Sequence, residues 1–218
     1  MPNKRGDLLV YGASGHAKVV IDAIERQGQY EIVGLLDDNP KLHGHECFDY
    51  TVLGGTEKLS QKRYRNCQLM IAIGSNEARH KLDERLRAAG WEFACIVHPS
   101  AQISRGVTLG TGTVVMAGVI LNADTTVGRH AILNTGATVD HDCRIGDFVH
   151  IAPGAHLAGG VRVGRLSLVG IGTSVIPGLC IGESVIIGAG AAVVESIPDH
   201  VTAVGVPARI IHQQRARK

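Results

Sequence analysis

The second half of the chain keeps a six-residue period without a slip, and that period excludes most folds. Every sixth position is aliphatic: Val97, Ile103, Leu109, Val115, Leu121, Val127, Leu133, Val139, Ile145, Ile151, Leu157, Val163, Val169, Val175, Ile181, Ile187 and Val193. An amphipathic helix repeats at about 3.6 residues and a half-buried strand at about two, so neither produces this pattern. A hexad repeat marks a β-helix, in which three hexads close one triangular coil and the coils stack on a shared column. The seventeen positions make between five and six coils. The next residue is glycine at Gly110, Gly128, Gly146, Gly164, Gly170, Gly182 and Gly188, as tight corners require. Burial of each aliphatic side chain, at roughly 1.5–3 kcal/mol, drives the stacking.

Residues 1–95 have a different rhythm, with strands and helices in alternation. The run "DLLVYG" (7–12) suits a buried strand. In "HAKVVIDAIERQG" (16–28), Val19, Val20, Ala23 and Ile24 fall at helical spacing before Gly28. Further strands are expected at 30–38 and 69–74. A helix capped by Asn76 is expected at 77–90, with Leu82 and Leu86 inward, and "FACIVHP" (93–99) closes the unit. The order is that of a small Rossmann-like parallel sheet. Two domains are therefore expected, an α/β unit over 1–95 and a β-helix over 96–218.

Composition limits the function classes. A formal charge of +2 over 218 residues is too small to argue for nucleic acid, and the basic end (Arg215, Arg217, Lys218) reads as a solvated tail. Cys47, Cys67, Cys95, Cys143 and Cys180 lack C-x-x-C spacing, which points to reduced thiols rather than a disulfide frame or a zinc site. The start of the chain passes directly into a strand pattern, and no apolar run approaches membrane-span length. These features predict a cytoplasmic protein with no membrane insertion.

Two segments carry chemistry. "GASGHA" (12–17) lies between a strand and a helix, where small residues let backbone N–H groups approach a phosphate. Its spacing is not the full G-x-G-x-x-G. Asp37 and Asp38 follow about twenty residues later, at the place where acidic groups accept from ribose. The domain is too short for both mononucleotide halves, so one nucleotide fits better than two; a plain tight turn is the alternative. The second segment is Asp140-His141-Asp142, inside the repeat. Val139 is the inward residue of its hexad, so the triplet falls at a corner and projects outward. Either carboxylate can hold one imidazole nitrogen, fix the tautomer and raise the basicity of the ring. Asp142 is the favoured partner and Asp140 the alternative. A metal reading draws on His130, His141, His150 and His156, but their spacings of eleven, nine and six supply no close ligand pair.

The hexads resemble those of the left-handed β-helix acyltransferases, and "VGVPARII" (204–211) resembles their closing segment. With "YGASGHAKVV" in front and "NTGATVDHDCRIGDFVHIAPGA" in the repeat, the chain from about 7 to 211 resembles the nucleotide-sugar N-acetyltransferases of bacterial glycan synthesis. The resemblance implies a homotrimer with a left-handed parallel β-helix. It also implies transfer of acetyl from acetyl-CoA to the 4-amino group of a nucleotide-linked dideoxysugar, without a metal. It implies that Ala13, Ser14, Gly15, Asp37, Asp38 and Gly74 contact the nucleotide, and that His16 and Asn134 lie near the acceptor sugar. His141 is then the general base, and His150, Ile171 and Ala189 lie along the pantetheine arm, with His150 on a neighbouring subunit's side. Aspartate stands where some members have glutamate beside the histidine, and Ala189 where some have glycine. Two other readings are an O-acetyltransferase of sialic acid or a related glycan, and a non-catalytic trimer that binds nucleotide sugars.

Overall fold

The computed structural model describes residues 5–213; the basic tail residues Arg215, Arg217 and Lys218 lie outside them. The chain divides into two compact units between Pro99 and Ser100.

In the first unit, β1 (Gly6–Tyr11) lies between β2 (Tyr30–Leu36) and β5 (Gln68–Ile71), parallel to both. Beyond β2 come β4 (Tyr50–Gly54), parallel, and β3 (Glu46–Cys47), antiparallel to β4. The sheet order is β3-β4-β2-β1-β5. The chain leaves β1 toward one side and later returns to β5 on the other. The crevice for ligands in such sheets is at this switch point, outside the carboxyl ends of the strands. Leu9, Tyr11, Leu36, Leu69 and Ile71 form the core with Leu82 and Leu86.

Several local expectations change. Helix α1 (Gly15–Gln27) buries Ala17, Val20, Ile21, Ala23 and Ile24 but leaves Val19 46% exposed. Positions 17, 20, 21 and 24 share one face at 3.6 residues per turn, and Val19 lies off it. Helix α2 (Asn76–Ala88) is capped by Ser75, whose Oγ accepts from the Ala78 N–H, not by Asn76. Asn76 instead accepts from Arg79 Nη2 at 2.9 Å. The expected closing strand at 93–99 reduces to a parallel bridge between Phe93 and Leu69 and a two-residue strand, Ile96–Val97. The β3–β4 hairpin was not anticipated.

From Gln102 to Val193 the second unit is a stack of two-residue strands joined by two-residue turns, and it closes with an antiparallel pair, Val201–Val204 and Arg209–Gln213. Parallel partners are eighteen residues apart, as in Ile120↔Thr138 and Arg144↔Arg162, so three hexads make one coil. From Val115 to Val193 the sixth-position aliphatics are all buried, at 0–4% exposure. Ile103 is 40% exposed because its strand is the edge rung of its stack. A second inward position, four residues after the aliphatic, holds small groups: Ala137, Cys143, Val149, Ala155 and Val161, all at 0%.

The corner glycines serve a purpose other than the one expected. At Gly164 an added Cβ would come within 2.5 Å of the Gly182 carbonyl carbon on the next coil. Close stacking, not a left-handed backbone, demands glycine there. The left-handed position is two residues later in the turn. Glycine often fills it, but Asp124, Asp142 and Leu166 also adopt it, at φ 60°, 59° and 62°.

The coil has three vertices. One passes through Asn134, Ile171 and Ala189. The next passes through Asp140-His141-Asp142 and Gly159-Gly160. The third passes through Arg129, Asp147 and Arg165.

Candidate functional site

The nucleotide candidates gather at the carboxyl edge of the first sheet. Gly12 has φ +120°, and an added Cβ would lie 2.7 Å from the Ala72 carbonyl oxygen, so β1 and β5 leave the sheet in close contact. Ala13 and Ser14 follow, and α1 begins at Gly15 with no acidic residue in its first turn. The Ser14 side chain makes no capping bond to the helix. These are the conditions under which a helix N-terminus accepts an anion.

Asp37 and Asp38 are already engaged. Asp37 accepts from the Ala13 N–H at 3.0 Å and the Asn39 N–H at 2.9 Å, tying the glycine loop to the end of β2. Asp38 accepts from the Tyr11 hydroxyl, from Thr56 Oγ1 at 2.9 Å, from the Thr56 N–H at 3.1 Å and from Arg85 Nη2 at 3.1 Å. Burial alone would raise the Asp38 pKa, but these hydrogen bonds outweigh it and bring it down to about 2. Burial and the same carboxylate push the Tyr11 phenol up. Tyr11, Asp37, Asp38, Ile73, Ala78, Lys81, Leu82 and Arg85 line a cavity of about 330 Å³. Tyr11, Thr56 and Arg85, which join Asp38, and Lys81, which lines the cavity beside them, were missed by sequence reasoning, because they come from three separate segments and share no motif.

Gly74 belongs to the loop after β5. Arg79, only 1% exposed, donates from Nη1 to the carbonyls of Ile73 at 2.9 Å and Gly74 at 3.2 Å. An added Cβ on Gly74 would lie 4.0 Å from the His16 ring, so these two candidates are neighbours. Burial, helped by the Arg79 charge, lowers the His16 pKa to about 4. At working pH His16 is therefore a neutral hydrogen-bonding group.

In the β-helix the triplet forms an outward turn. His141 Nδ1 is 2.7 Å from Asp142 Oδ2, with side-chain exposures of 60% and 67%. Asp140 takes a different part: its Oδ1 accepts the His141 backbone N–H and Asn122 Nδ2, both at 2.8 Å. Asp142 thus holds the ring while Asp140 holds the turn. The hydrogen bond to Asp142 raises the His141 pKa, and the Asp140 charge adds to it. The Asn122 bond lowers the Asp140 pKa. Asn122 was not singled out beforehand, although it lies one coil of eighteen residues before Asp140. Cys143, next to the triplet, is fully buried and donates from Sγ to the Ala158 carbonyl at 3.3 Å. Burial raises its pKa, so it is a packing residue and not a nucleophile.

The donor-side candidates occupy another vertex. Ile171, 59% exposed, and Ala189 stand one coil apart there. Asn134 Nδ2 lies 3.0 Å from His150 Nε2, pairing an acceptor candidate with a donor candidate. The four histidines of the metal reading remain apart. His130 stacks on Phe148 at 5.3 Å, His156 bonds Thr138, and His141 and His150 have the partners named above. Among the described residues no group of three His, Cys, Asp or Glu could hold a metal ion.

The fold is shared with known proteins. Residues 7–86 match the PglD N-terminal domain. The crystal structure of PerB from Caulobacter crescentus, in complex with CoA and GDP-perosamine, is 43% identical; the match covers 95% of this chain and 98% of that one, with a TM-score of 0.89. Further structures of that enzyme carry asparagine or alanine in place of a histidine, again with CoA and GDP-perosamine. The acetyltransferase domain of PglB from Neisseria gonorrhoeae FA1090 is 35% identical over 94% of this chain and 99% of that one, at a TM-score of 0.87. The UDP-N-acetylbacillosamine N-acetyltransferase of Bacillus subtilis (strain 168) is 42% identical over 113 residues, 51% of each chain. The match thus spans about half the length of that curated relative. The chain belongs to the nucleotide-sugar N-acetyltransferases, with a PglD-type N-terminal domain ahead of a left-handed parallel β-helix.

Proposed function

We propose that this chain transfers acetyl from acetyl-CoA to the 4-amino group of a nucleotide-linked 4-amino-4,6-dideoxysugar, with GDP-perosamine the favoured acceptor. The observation that carries this reading is the His141–Asp142 hydrogen bond of 2.7 Å on an outward turn. A carboxylate accepting from Nδ1–H leaves the lone pair on Nε2, which is the nitrogen that receives a proton. The amine nitrogen attacks the thioester carbonyl and passes its proton to Nε2. Backbone N–H groups of the vertex meet the developing oxyanion. The tetrahedral intermediate then expels the CoA thiolate, which is reprotonated. No covalent acyl-enzyme forms, in keeping with the buried Cys143.

The α/β unit binds the nucleotide through Ala13, Ser14, Gly15, Asp37, Asp38 and Gly74, with neutral His16 on the sugar side. Asn134 assists at the amine, and His150, Ile171 and Ala189 follow the pantetheine arm. The choice of GDP-perosamine rests on the 43% identity to PerB over almost the whole chain. A homotrimer is part of the reading. What supports it is that His141 stands at one vertex of the coil and Asn134, Ile171 and Ala189 at another, and a second copy would bring both sets to one substrate. Acetyl-CoA and nucleotide sugars are cytoplasmic metabolites, and the reaction belongs there, in the synthesis of O-antigen or a related surface glycan. Among the described residues no helix is long and apolar enough to cross a membrane.

The test is a panel of GDP-, UDP- and dTDP-linked 4-amino sugars, with hydroxyl analogues, in which free CoA thiol is followed after mixing with acetyl-CoA. Release with an amino sugar and none with its hydroxyl analogue supports the reading. Release with hydroxyl acceptors alone makes the protein an O-acetyltransferase, and no release with any acceptor makes it a binding protein.

A further inference from the structure

The His141 ring is held on two sides, and only one of them is a hydrogen bond. Asp142 takes Nδ1. Across the ring, one coil of eighteen residues later, stands Gly159. A Cβ built there would lie 2.7 Å from both Cε1 and Nε2 of His141 and 3.3 Å from Cδ2. The Cε1–Nε2 edge therefore occupies the space that a side chain on residue 159 would take.

Gly159 is not among the glycines with positive φ, so its backbone does not itself demand glycine. Its neighbour Gly160 does, at φ +71°, and an added Cβ there would approach nothing closer than 3.8 Å. The Gly160 N–H donates to the His141 carbonyl at 2.9 Å, which fixes the two turns one above the other. The two adjacent glycines thus answer different needs. Gly160 permits the turn, and Gly159 makes room for the imidazole.

We infer that Gly159 is a positioning residue for the acetyl transfer, a backbone floor that together with Asp142 sets the direction of the His141 Nε2 lone pair. The inference rests on the reading of His141 as the base. With no side chain at position 159, the ring keeps that space and its bond to Asp142 at the same time. A methyl group at this position displaces the end of a flexible side chain and leaves the backbone in place. The ring then swings away from Asp142, so both of its constraints are lost together. The titratable groups around the ring are Asp140, Asp142 and the buried Cys143 on its own turn. The preceding coil contributes Asp124 to the same vertex, and the following turn, Ala158 to Val161, contributes none.

The test compares wild type, Gly159→Ala, Gly160→Ala and His141→Ala with acetyl-CoA and a GDP-linked 4-amino sugar. For Gly159→Ala, kcat is expected to fall about thirty-fold or more while both KM values stay within about threefold, as for a residue that acts on orientation alone. Its melting temperature is expected to stay near wild type, and its acid limb to move to lower pH as the ring leaves Asp142. Gly160→Ala is expected to lose thermal stability instead, because alanine is strained at positive φ. If Gly159→Ala keeps its kcat and acid limb while His141→Ala is inactive, the floor has no positioning role. If Gly159→Ala loses stability in parallel with activity, its role is structural and the inference also fails. If His141→Ala itself keeps full activity, the base assignment is at fault and the floor has nothing to position.

Discussion

The vertex of the coil that carries Arg129 and Asp147 and the vertex that carries His141 use the same two-residue turn but place their charges differently. Arg129 pairs with Asp147 from the next coil, Nε to Oδ2 at 3.0 Å, and the Arg129 backbone N–H donates to the same carboxylate at 2.9 Å. The guanidinium also lies 5.3 Å over the Phe148 ring. Here charge staples one coil to another. At the other vertex His141 pairs within its own turn, and its side chain is 60% exposed against 33% for Arg129. Pairing between coils consumes the functional groups of both residues in holding the stack. Pairing within a turn orients the imidazole and leaves one nitrogen for chemistry.

Substitutions can break this contrast. The largest effect is expected at the base. His141→Ala should lower kcat by about 10²–10⁴-fold, the range of general-base contributions, with the melting temperature unchanged because the exposed ring adds nothing to the core. Steady-state thiol release and a thermal melt measure both. An intermediate effect is expected on the nucleotide side. Arg85→Met removes a donor to Asp38 and to Thr56, the latter at 2.9 Å. It should raise KM for the nucleotide sugar about five- to ten-fold at near-constant kcat, the pattern of lost uniform binding. The smallest effect on catalysis is expected from Asp147→Ala. Loss of a half-exposed ion pair and one backbone acceptor should cost about 1 kcal/mol, or roughly 2–4 °C in melting temperature, with kcat and KM unchanged. Asp147→Ala that impaired turnover without affecting the melt would erase the distinction between the vertices.

The two units differ in how much of their structure their sequences encode in recurring form. The β-helix was legible because each contact recurs every eighteen residues. Val139 must stack on Leu157, and Asn122 beside Asp140 and Gly159 beside His141 follow from the same arithmetic, though they were not drawn from it. The period carries no information on whether Asp140 or Asp142 meets the ring, since that depends on side-chain torsions inside one turn. Nor did it reveal that the corner glycines serve close stacking rather than positive φ. The α/β unit was legible only as an order of elements. Asp38 meets Tyr11 across 27 residues and Arg85 across 47, distances that no repeat or motif encodes. The cap at Ser75 rather than Asn76, and the outward Val19, turned on single-residue shifts of helix phase.

The central claim is that His141 acts as a base oriented by Asp142, and the pH–rate profile of wild type against Asp142→Asn tests it most directly. The base must be neutral to accept a proton, so turnover falls as pH drops through its pKa. Because Asp142 raises that pKa, the wild-type acid limb should lie above the ordinary imidazole value of about 6.5. Asparagine offers no negative charge to the imidazolium, so the variant's limb should move to lower pH and its plateau kcat should fall. An acid limb at the same pH in both proteins, with an unchanged plateau, would contradict the account.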